Sequence, residues 1–240
     1  EVWLLHSCFL RRDRRRLENK ILRFSGEPEK NGIWISTQIV EASLDIDFDV
    51  LHTEMCTADS LLQRLGRCNR SGRYIPEEAN VIVYVNRNGV GEHSVYDEFL
   101  YDRSVDYLKE YEDITFSEQM KTEYMNQVYA AEEIKNSEYY KEIELALKKL
   151  EAIHCAEYTK KEVDKQFRGI ESITVMPDRT YDENQEFIEK SVEILSTAHV
   201  DQAVKTVFRK KLEDLTVSVS GFKGKKMQVD QMTIGQKDQK

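Results

Sequence analysis

The sequence is short of cysteine, proline and glycine, and it contains no long apolar run. Its 240 residues include 4 cysteines, 3 prolines and 10 glycines. The cysteines are scattered, with no CxxC pair and no histidine at zinc-ligand spacing, which favours reduced thiols and no metal site. No segment has the apolar length of a membrane span or the character of a signal peptide. We therefore expect a soluble chain from a reducing, cytoplasmic compartment, with no membrane partner.

Positive charge is also in short supply. The 44 acidic and 35 basic residues give a formal net charge of -9, which argues against a protein that binds nucleic acid through bulk positive charge. The one dense arginine cluster, Arg11–Arg16, falls on a predicted helix and could contact phosphates. A run of this kind more often forms a solvated helix face, which is the interpretation we favour. Any contact with nucleic acid should therefore be local.

Strands and helices alternate over roughly the first ninety residues. An apolar stripe at helical spacing follows the first strand, and a second helix is predicted over Ala58–Cys68. The predicted strands are Val2–Leu5, Ile33–Ser36, Val50–Thr53 and Val81–Val85. The last of these is apolar throughout, as in strands that a parallel sheet buries on both faces. This alternation predicts an α/β unit.

Beyond about Ser94 the composition changes to charged, tyrosine-rich helical stretches, and strands return after residue 172. We predict three parts: an α/β lobe at 1–113, a helical connector at 114–168 and a small α+β accessory domain at 169–240. The connector tyrosines could form a base-stacking platform, but their irregular spacing among glutamates favours core and interface positions. They are Tyr124, Tyr129, Tyr139 and Tyr140.

The segment Ala58–Arg70 carries two different faces when it is placed on a helix. Leu61, Leu62 and Leu65 share one side, and Gln63, Arg67 and Arg70 share roughly the opposite side. Guanidinium groups one turn apart suit a polyphosphate, because each can form paired bonds to phosphate oxygens. The alternative is a solvated basic face, the usual explanation of arginine pairs on helices.

A second polar segment lies upstream, where a predicted strand ends in Ser36 and Thr37 and is followed by Glu41 and Asp45. A hydroxyl and free amides at the carboxyl edge of a parallel strand can bind a backbone phosphate, and a carboxylate one turn later can reach a ribose hydroxyl. The alternative is an ordinary strand-to-helix cap in which Thr37 satisfies the backbone.

Three segments resemble superfamily 2 helicase motifs, in the order that the superfamily shows. Leu4–Phe9 resembles motif IV, Ser36–Asp45 resembles motif V and Gln63–Arg70 resembles motif VI. These motors commonly have a glycine two residues before the motif V aspartate, where this chain has Ser43. With the run Ser43–Asp47 and the Arg-Cys-Asn-Arg ending of motif VI, residues 1 to about 90 resemble the CRISPR-associated helicase-nuclease family of type I systems.

The resemblance implies a RecA-like second motor lobe, joined by the helical connector to an α+β accessory domain. It implies site residues by position: catalytic arginine fingers at Arg67 and Arg70; nucleotide contacts at Gln63, Asp45 and Gly66; nucleic-acid contacts at Thr37, Ser36, His6 and Glu41. It also implies ATP with Mg²⁺ held mainly by a first lobe, single-stranded DNA, an HD nuclease domain in the same parent chain and a guide-RNA surveillance complex of the Cascade type.

The sequence contains neither a GxxxxGK[ST] loop nor an Asp-Glu-x-His box. Because these elements supply most of the nucleotide affinity in such motors, we expect the isolated 240-residue chain to lack tight ATP binding and ATP turnover. Its start at Glu1, directly before a strand, indicates a piece of a longer chain. Two alternatives stay open: the lobe of another superfamily 2 DNA or RNA helicase, and a non-catalytic domain that binds nucleic acid or a partner.

Overall fold

The computed structural model describes residues 1–27, 29–41, 44–91, 94–135, 137–152 and 172–220. The chain divides into two compact units, each built from separate stretches of sequence. The first unit takes Glu1–Ile21, Asn31–Ile39 and Thr159–Lys240, and the second takes Leu22–Lys30 and Val40–Tyr158. Each unit mixes helices with a small number of strands.

The order of elements confirms the predicted alternation. The helices are α1 (Arg11–Ser25), α2 (Ala58–Leu65), α3 (Glu98–Leu108), α4 (Glu118–Val128), α5 (Ala131–Ile134), α6 (Glu138–Ala152), α7 (Asp178–Glu183), α8 (Gln185–Ser196) and α9 (Gln202–Asp214). The strands are β1 (Val2–Leu5), β2 (Ile33–Ser36), β3 (Leu51–Glu54), β4 (Val81–Tyr84), β5 (Ser172–Val175) and β6 (Val217–Ser220). Helix α9 was not assigned from the sequence.

In the first unit, β1 and β2 pair in parallel, from Val2 opposite Ile33 to Leu5 opposite Ser36. Side chains alternate between the two faces of such a pair. On one face Trp3 and Trp34 stack with ring centroids 5.0 Å apart. The opposite face is apolar and exposed at the side chains of Val2, Leu4, Ile33 and Ile35.

The same unit contains an α+β element from the tail of the chain. Strands β5 and β6 pair antiparallel, and α8 and α9 share a small core around Ile188, Leu212 and Leu215. This confirms the mixed α+β content predicted after residue 172. Residues 221–240, also assigned to the predicted accessory domain, lie outside the described residues.

Helix α1 explains part of the arginine cluster. Arg15 donates two hydrogen bonds to the carboxylate of Asp214, at 2.8 and 3.1 Å, and Arg11 pairs with Glu213 at 3.3 Å. The backbone amide of Arg11 also donates to the Thr216 carbonyl at 3.0 Å. These two arginines remain on the surface, as a solvated face requires, but they join α1 to the end of α9.

In the second unit, β3 and β4 pair in parallel, from Leu51 opposite Val81 to Glu54 opposite Tyr84. The sequence predicted that the strand Val81–Val85, which corresponds to β4, would be buried on both faces, and this prediction is wrong. Residues of β4 are half-buried and Tyr84 is exposed. The reason is that, within the described residues, β4 pairs with β3 alone, so its faces are only partly covered.

The core of this unit lies where α2, α3 and α4 meet. Its buried members are Met55, Cys56, Ala58, Leu61, Tyr101, Tyr124 and Val128. The hydroxyl of Tyr124 donates to the Ser104 carbonyl at 2.8 Å, and that of Tyr129 donates to Asp59 at 2.6 Å. Tyr124 therefore occupies a core position, as predicted, and Tyr129 packs partly buried against the same core. Part of the predicted connector, residues 153–168, lies outside the described residues.

Candidate nucleotide-facing site

Helix α2 positions the start of the arginine motif. Leu61 is fully buried, and Leu62 and Leu65 pack partly buried against the same core, which confirms the predicted leucine stripe. The first turn is fixed by a hydrogen bond from the Ala58 amide to the hydroxyl of Ser104, at 2.9 Å. Gln63 is exposed whereas Leu61 is buried, as the predicted positions on opposite helix faces require.

The helix ends earlier than the sequence indicated. It stops at Leu65, with Gly66 as the capping residue, so the predicted helix over Ala58–Cys68 is too long, and the comparison of faces that extended it to Arg70 is wrong for Arg67 and Arg70. Arg67 and Arg70 follow the helix in a loop, which we call the finger loop (residues 66–74). Two features bend the chain away from the helix axis. Asn69 has a left-handed backbone with φ of 47°, and the backbone of Cys68 forms an isolated β-bridge with that of Phe48.

The bridge to Phe48 pairs the finger loop with the motif V segment, defined here as residues 40–49. The Phe48 amide donates to the Arg67 carbonyl at 3.0 Å, and the Asn69 amide donates to the Phe48 carbonyl at 2.7 Å. Asn69 also closes the loop on itself, because its side-chain amide donates to and accepts from the backbone of Tyr74. The loop is thereby fixed at both its entry and its turn.

Arg64 makes the innermost contact between the two segments. Its guanidinium donates to the Glu41 carboxylate at 2.7 Å, to the Thr53 hydroxyl at 2.8 Å and to the Tyr96 hydroxyl at 2.7 Å. A fourth bond reaches the Glu54 carbonyl at 3.0 Å. The side chains of Arg64 and Glu41 are only 14% and 12% exposed. The pair is therefore a largely buried ion pair whose guanidinium donates four hydrogen bonds.

Sequence reasoning missed Arg64, although it stands inside the quoted motif. The available signal was its position three residues after Leu61, which places it on the flank of the buried stripe. The same contact qualifies the prediction that Glu41 touches nucleic acid. Its carboxylate accepts a hydrogen bond from Arg64 and its carbonyl accepts one from Arg67, and a contact between Glu41 and nucleic acid stays a prediction.

Arg67 binds the backbone of the motif V segment. Its Nε donates to the Val40 carbonyl at 3.3 Å, and its Nη2 donates to the Glu41 carbonyl at 3.0 Å. Its Nη1 makes no hydrogen bond to any residue that the structure describes. Arg67 is thus oriented by two carbonyls while one edge of the guanidinium remains available to another acceptor.

Arg70 makes the outermost contact. Its guanidinium pairs with the carboxylate of Asp45, and the two side chains are 55% and 87% exposed. The backbone amides of Arg70 and Ser71 donate to the two carboxylate oxygens of Asp47, at 2.7 and 2.9 Å. Partial burial acts to raise the pKa of Asp47, but hydrogen bonds from Ser71 and the Arg70 backbone outweigh it and hold this pKa below its ordinary value.

The predicted site residues fall into both units. Glu41, Asp45, Gln63, Gly66, Arg67 and Arg70 belong to the second unit, whereas His6, Ser36 and Thr37 belong to the first. In the first unit the His6 ring accepts the Cys8 amide at 3.0 Å, and the Ser36 hydroxyl donates to the Thr37 carbonyl at 3.1 Å. Within the second unit the structure brings Arg67, Arg70 and Asp45 to the contact between the finger loop and the motif V segment, together with Arg64 and Asp47.

The described residues contain no group of three or more His, Cys, Asp or Glu side chains arranged to hold a metal ion. None of their helices combines the length and apolar character that crossing a membrane requires.

Comparison with known proteins adds an independent finding. The family model for the CRISPR-associated nuclease/helicase Cas3, C-terminal, matches residues 1–73. The CRISPR-associated endonuclease/helicase Cas3 of Escherichia coli (strain K12) is 40% identical over 101 residues, covering 39% of this chain and 11% of that protein. The nuclease/helicase Cas3 of Methanothermobacter thermautotrophicus is 40% identical over 88 residues, covering 36% of this chain and 10% of that protein.

Among solved structures, a chain of one described as a CRISPR RNA-guided surveillance complex, pre-nicking, matches with a TM-score of 0.56 and 16% identity. The match covers 92% of this chain and 30% of that one, which shows a shared fold. The curated relatives are much longer, since the matched parts are about a tenth of their length. Residues 1–73 contain all three motif segments, and over these residues the chain is similar to the family of the C-terminal region of the CRISPR-associated nuclease/helicase Cas3.

Proposed function

We propose that this chain provides the second, RecA-like motor lobe, at residues 1–113, of an ATP-dependent translocase. The intact enzyme would pull single-stranded DNA and feed it to a nuclease in type I CRISPR interference. The observation that carries the proposal is the fixed finger loop, in which Arg67 and Arg70 are held against the motif V segment. The connector at 114–168 and the accessory domain at 169–240 complete the proposed organisation.

Two guanidiniums on one anchored loop suit the chemistry of phosphoryl transfer. In that reaction charge develops on the oxygens of the γ-phosphoryl group, and positioned arginines stabilise it. Arg67 offers the free edge of its guanidinium, while its other nitrogens bind two carbonyls. Arg70 offers an exposed guanidinium at the end of a fixed backbone. Gln63 and Gly66 flank these arginines as the proposed nucleotide contacts.

Arg70 and Asp45 form the movable part of the proposed site. An exposed ion pair contributes only about 0–1 kcal/mol, so a triphosphate, which carries more charge and offers bidentate acceptors, can displace the carboxylate. Arg70 would then turn from Asp45 to the γ-phosphate. The freed Asp45 would accept a hydrogen bond from the ribose or from the facing lobe.

The proposed nucleic-acid contacts are Thr37, Ser36, His6 and Glu41. Hydroxyls and main-chain amides fix a strand by its phosphates and carry no sequence information, as a translocase requires. The net charge of -9 fits a local contact of this kind better than a broad basic surface.

The proposed partners follow from the family. They are ATP with Mg²⁺, a first motor lobe, an HD nuclease domain in the parent chain, single-stranded DNA and a Cascade-type guide-RNA surveillance complex. Within the described part of the chain no cluster of side chains fits a magnesium ion. The steps proposed for this chain therefore involve only its guanidiniums, carboxylates and hydroxyls.

The test is a hybrid in which this 240-residue chain replaces the matching part of the E. coli relative and everything C-terminal of it. We expect ATP turnover that single-stranded DNA stimulates. Arg67→Ala and Arg70→Ala should each lower kcat by about 10³-fold or more, with ATP binding largely retained. The matched control is Arg179→Ala, since Arg179 is an exposed arginine of α7 paired only with Glu183 one turn away.

Other outcomes would favour the alternatives. Turnover stimulated by RNA as strongly as by DNA would favour another superfamily 2 helicase. DNA binding that ATP does not change, in a hybrid without turnover, would favour a non-catalytic binding domain. The 240-residue chain alone should show no ATP turnover, and measurable turnover would contradict the division of the site between two lobes.

A further inference from the structure

The side chain of Asp47 binds the backbone of the finger loop, whereas the side chains of Glu41 and Asp45 bind arginine side chains. One carboxylate oxygen accepts the Arg70 amide at 2.7 Å, and the other accepts the Ser71 amide at 2.9 Å. Its neighbour Ile46 is buried, so this part of the motif V segment is anchored in the core. The carboxylate is therefore a fixed acceptor for two consecutive amides.

These two amides directly follow the bend at Asn69 in the finger loop. Asn69 adopts a left-handed backbone, which costs free energy for a residue other than glycine and persists only when its surroundings hold it. Its side chain is closed on Tyr74 after the bend, and Asp47 binds the amides within it. The backbone of Arg70 is thus held from both sides, while its guanidinium is exposed.

Asp45 and Asp47 consequently act on different parts of the same arginine. Asp45 pairs with the mobile guanidinium and is itself almost fully exposed. Asp47 binds the backbone and is half-buried. An arginine side chain that must swing between a carboxylate and a phosphate needs a fixed backbone. Small errors in the position of a catalytic group lower the rate by large factors.

We infer that Asp47 is a positioning residue for Arg70: its carboxylate fixes the backbone from which the guanidinium swings between Asp45 and the substrate phosphate. This role rests on the proposed motor function. The two aspartates of the Ser-Leu-Asp-Ile-Asp run then have separate roles: Asp45 pairs with the guanidinium of Arg70, and Asp47 fixes its backbone.

The contact itself can be tested on the 240-residue chain without any motor activity. The amide proton shifts of Arg70 and Ser71, followed by NMR during acid titration, should move together at a pH below the ordinary carboxyl range, as the lowered pKa of Asp47 predicts. In Asp47→Asn both movements should disappear. Amides that do not respond to pH in the unaltered chain would overturn the inference.

The positioning role is tested by a double-mutant cycle in the hybrid. Asparagine keeps one acceptor but turns an N–H toward the second amide, so Asp47→Asn should misplace Arg70 and lower kcat by about 10- to 100-fold. The KM for ATP should change less than about twofold, since positioning of this kind acts on the transition state. In an Arg70→Ala background the same change should lower kcat no further.

The matched control is Asp49→Asn, an exposed aspartate of the same segment, which should leave kcat unchanged. Equal losses from Asp47→Asn with and without Arg70 would mean that Asp47 only stabilises the loop, and would overturn the positioning role alone. A folded hybrid without turnover would overturn the motor function and the role together, while the amide titration would still report the hydrogen bonds.

Discussion

The two ends of the contact between the finger loop and the motif V segment are built very differently. At the inner end the Glu41–Arg64 pair is buried, with both side chains less than one-sixth exposed and four hydrogen bonds on the guanidinium. At the outer end the Asp45–Arg70 pair is largely exposed. Pairs of an arginine with a carboxylate therefore serve two purposes within one contact.

The difference follows from desolvation. Removing one partner of a buried pair leaves an uncompensated charge and typically costs 3–5 kcal/mol, whereas an exposed pair contributes about 0–1 kcal/mol. The inner pair is suited to holding two segments in register, and the outer pair is suited to changing partners. Arg67 lies between them and binds carbonyls rather than a carboxylate.

The largest effect is expected at the inner end. Arg64→Ala in the 240-residue chain should lower the free energy of unfolding by ~3 kcal/mol, because Glu41 is left buried without its partner. Urea unfolding followed by far-UV circular dichroism measures this. The control Arg179→Ala should change the free energy by less than ~0.5 kcal/mol. A loss below ~1 kcal/mol for Arg64→Ala would remove the distinction between the two ends.

Arg67→Ala should have the next largest effect, ~2 kcal/mol on the same measurement, because two hydrogen bonds from a charged donor are lost. Arg67→Lys should recover less than half of this loss, since a single ammonium cannot span the two carbonyls as a planar guanidinium does. Full recovery by lysine would show that only the charge matters at this position.

Asp47 provides a prediction about pH. Its lowered folded-state pKa means that its contribution is fully present above the unfolded pKa of about 3.9 and is lost as the pH falls through the folded value. Asp47→Asn should therefore lower the free energy of unfolding by ~1.5 kcal/mol at pH 7, and this deficit should shrink in unfolding experiments below about pH 4. A deficit that stays constant with acid would place the stabilisation elsewhere.

The smallest effect is expected at the outer end. Arg70→Ala should lower the free energy of unfolding by less than ~1 kcal/mol at low salt, and 1 M NaCl should abolish most of the difference because exposed charges are screened. The deficit of Arg64→Ala should persist in the same salt. Equal salt sensitivity of the two variants would contradict the contrast in burial.

The sequence predicted the start of α2 and its leucine stripe, because apolar spacing records which face is buried. It failed at the end of the helix, where the local signal is a single glycine, Gly66, directly after Leu65. The bend depends on Phe48 and Asp47, which lie about twenty residues earlier in the chain. Helical periodicity assumes a continuous helix and cannot register such a contact.

The sequence predicted only part of the candidate site, because some of its contacts also join residues that are distant in the chain. Motif order supplied Arg67, Arg70 and Asp45, which the structure brings to one loop junction. Arg64 was missed because a charged residue in a polar motif is assumed to be exposed, and its burial became visible only with Glu41, Thr53 and Tyr96 in place. Whether these residues serve a nucleotide stays a prediction for the hybrid to test.

Ser104 has a mechanical consequence for the second unit. Its buried hydroxyl accepts the first amide of α2 and donates to Leu100 within α3, while its carbonyl accepts the hydroxyl of Tyr124 from α4. A force applied to the finger loop would therefore be transmitted to α2, α3 and α4 through the hydrogen bonds of Ser104. If α2 moved alone, a buried polar group would lose its hydrogen-bond partner. Helices α3 and α4 would therefore move together with α2.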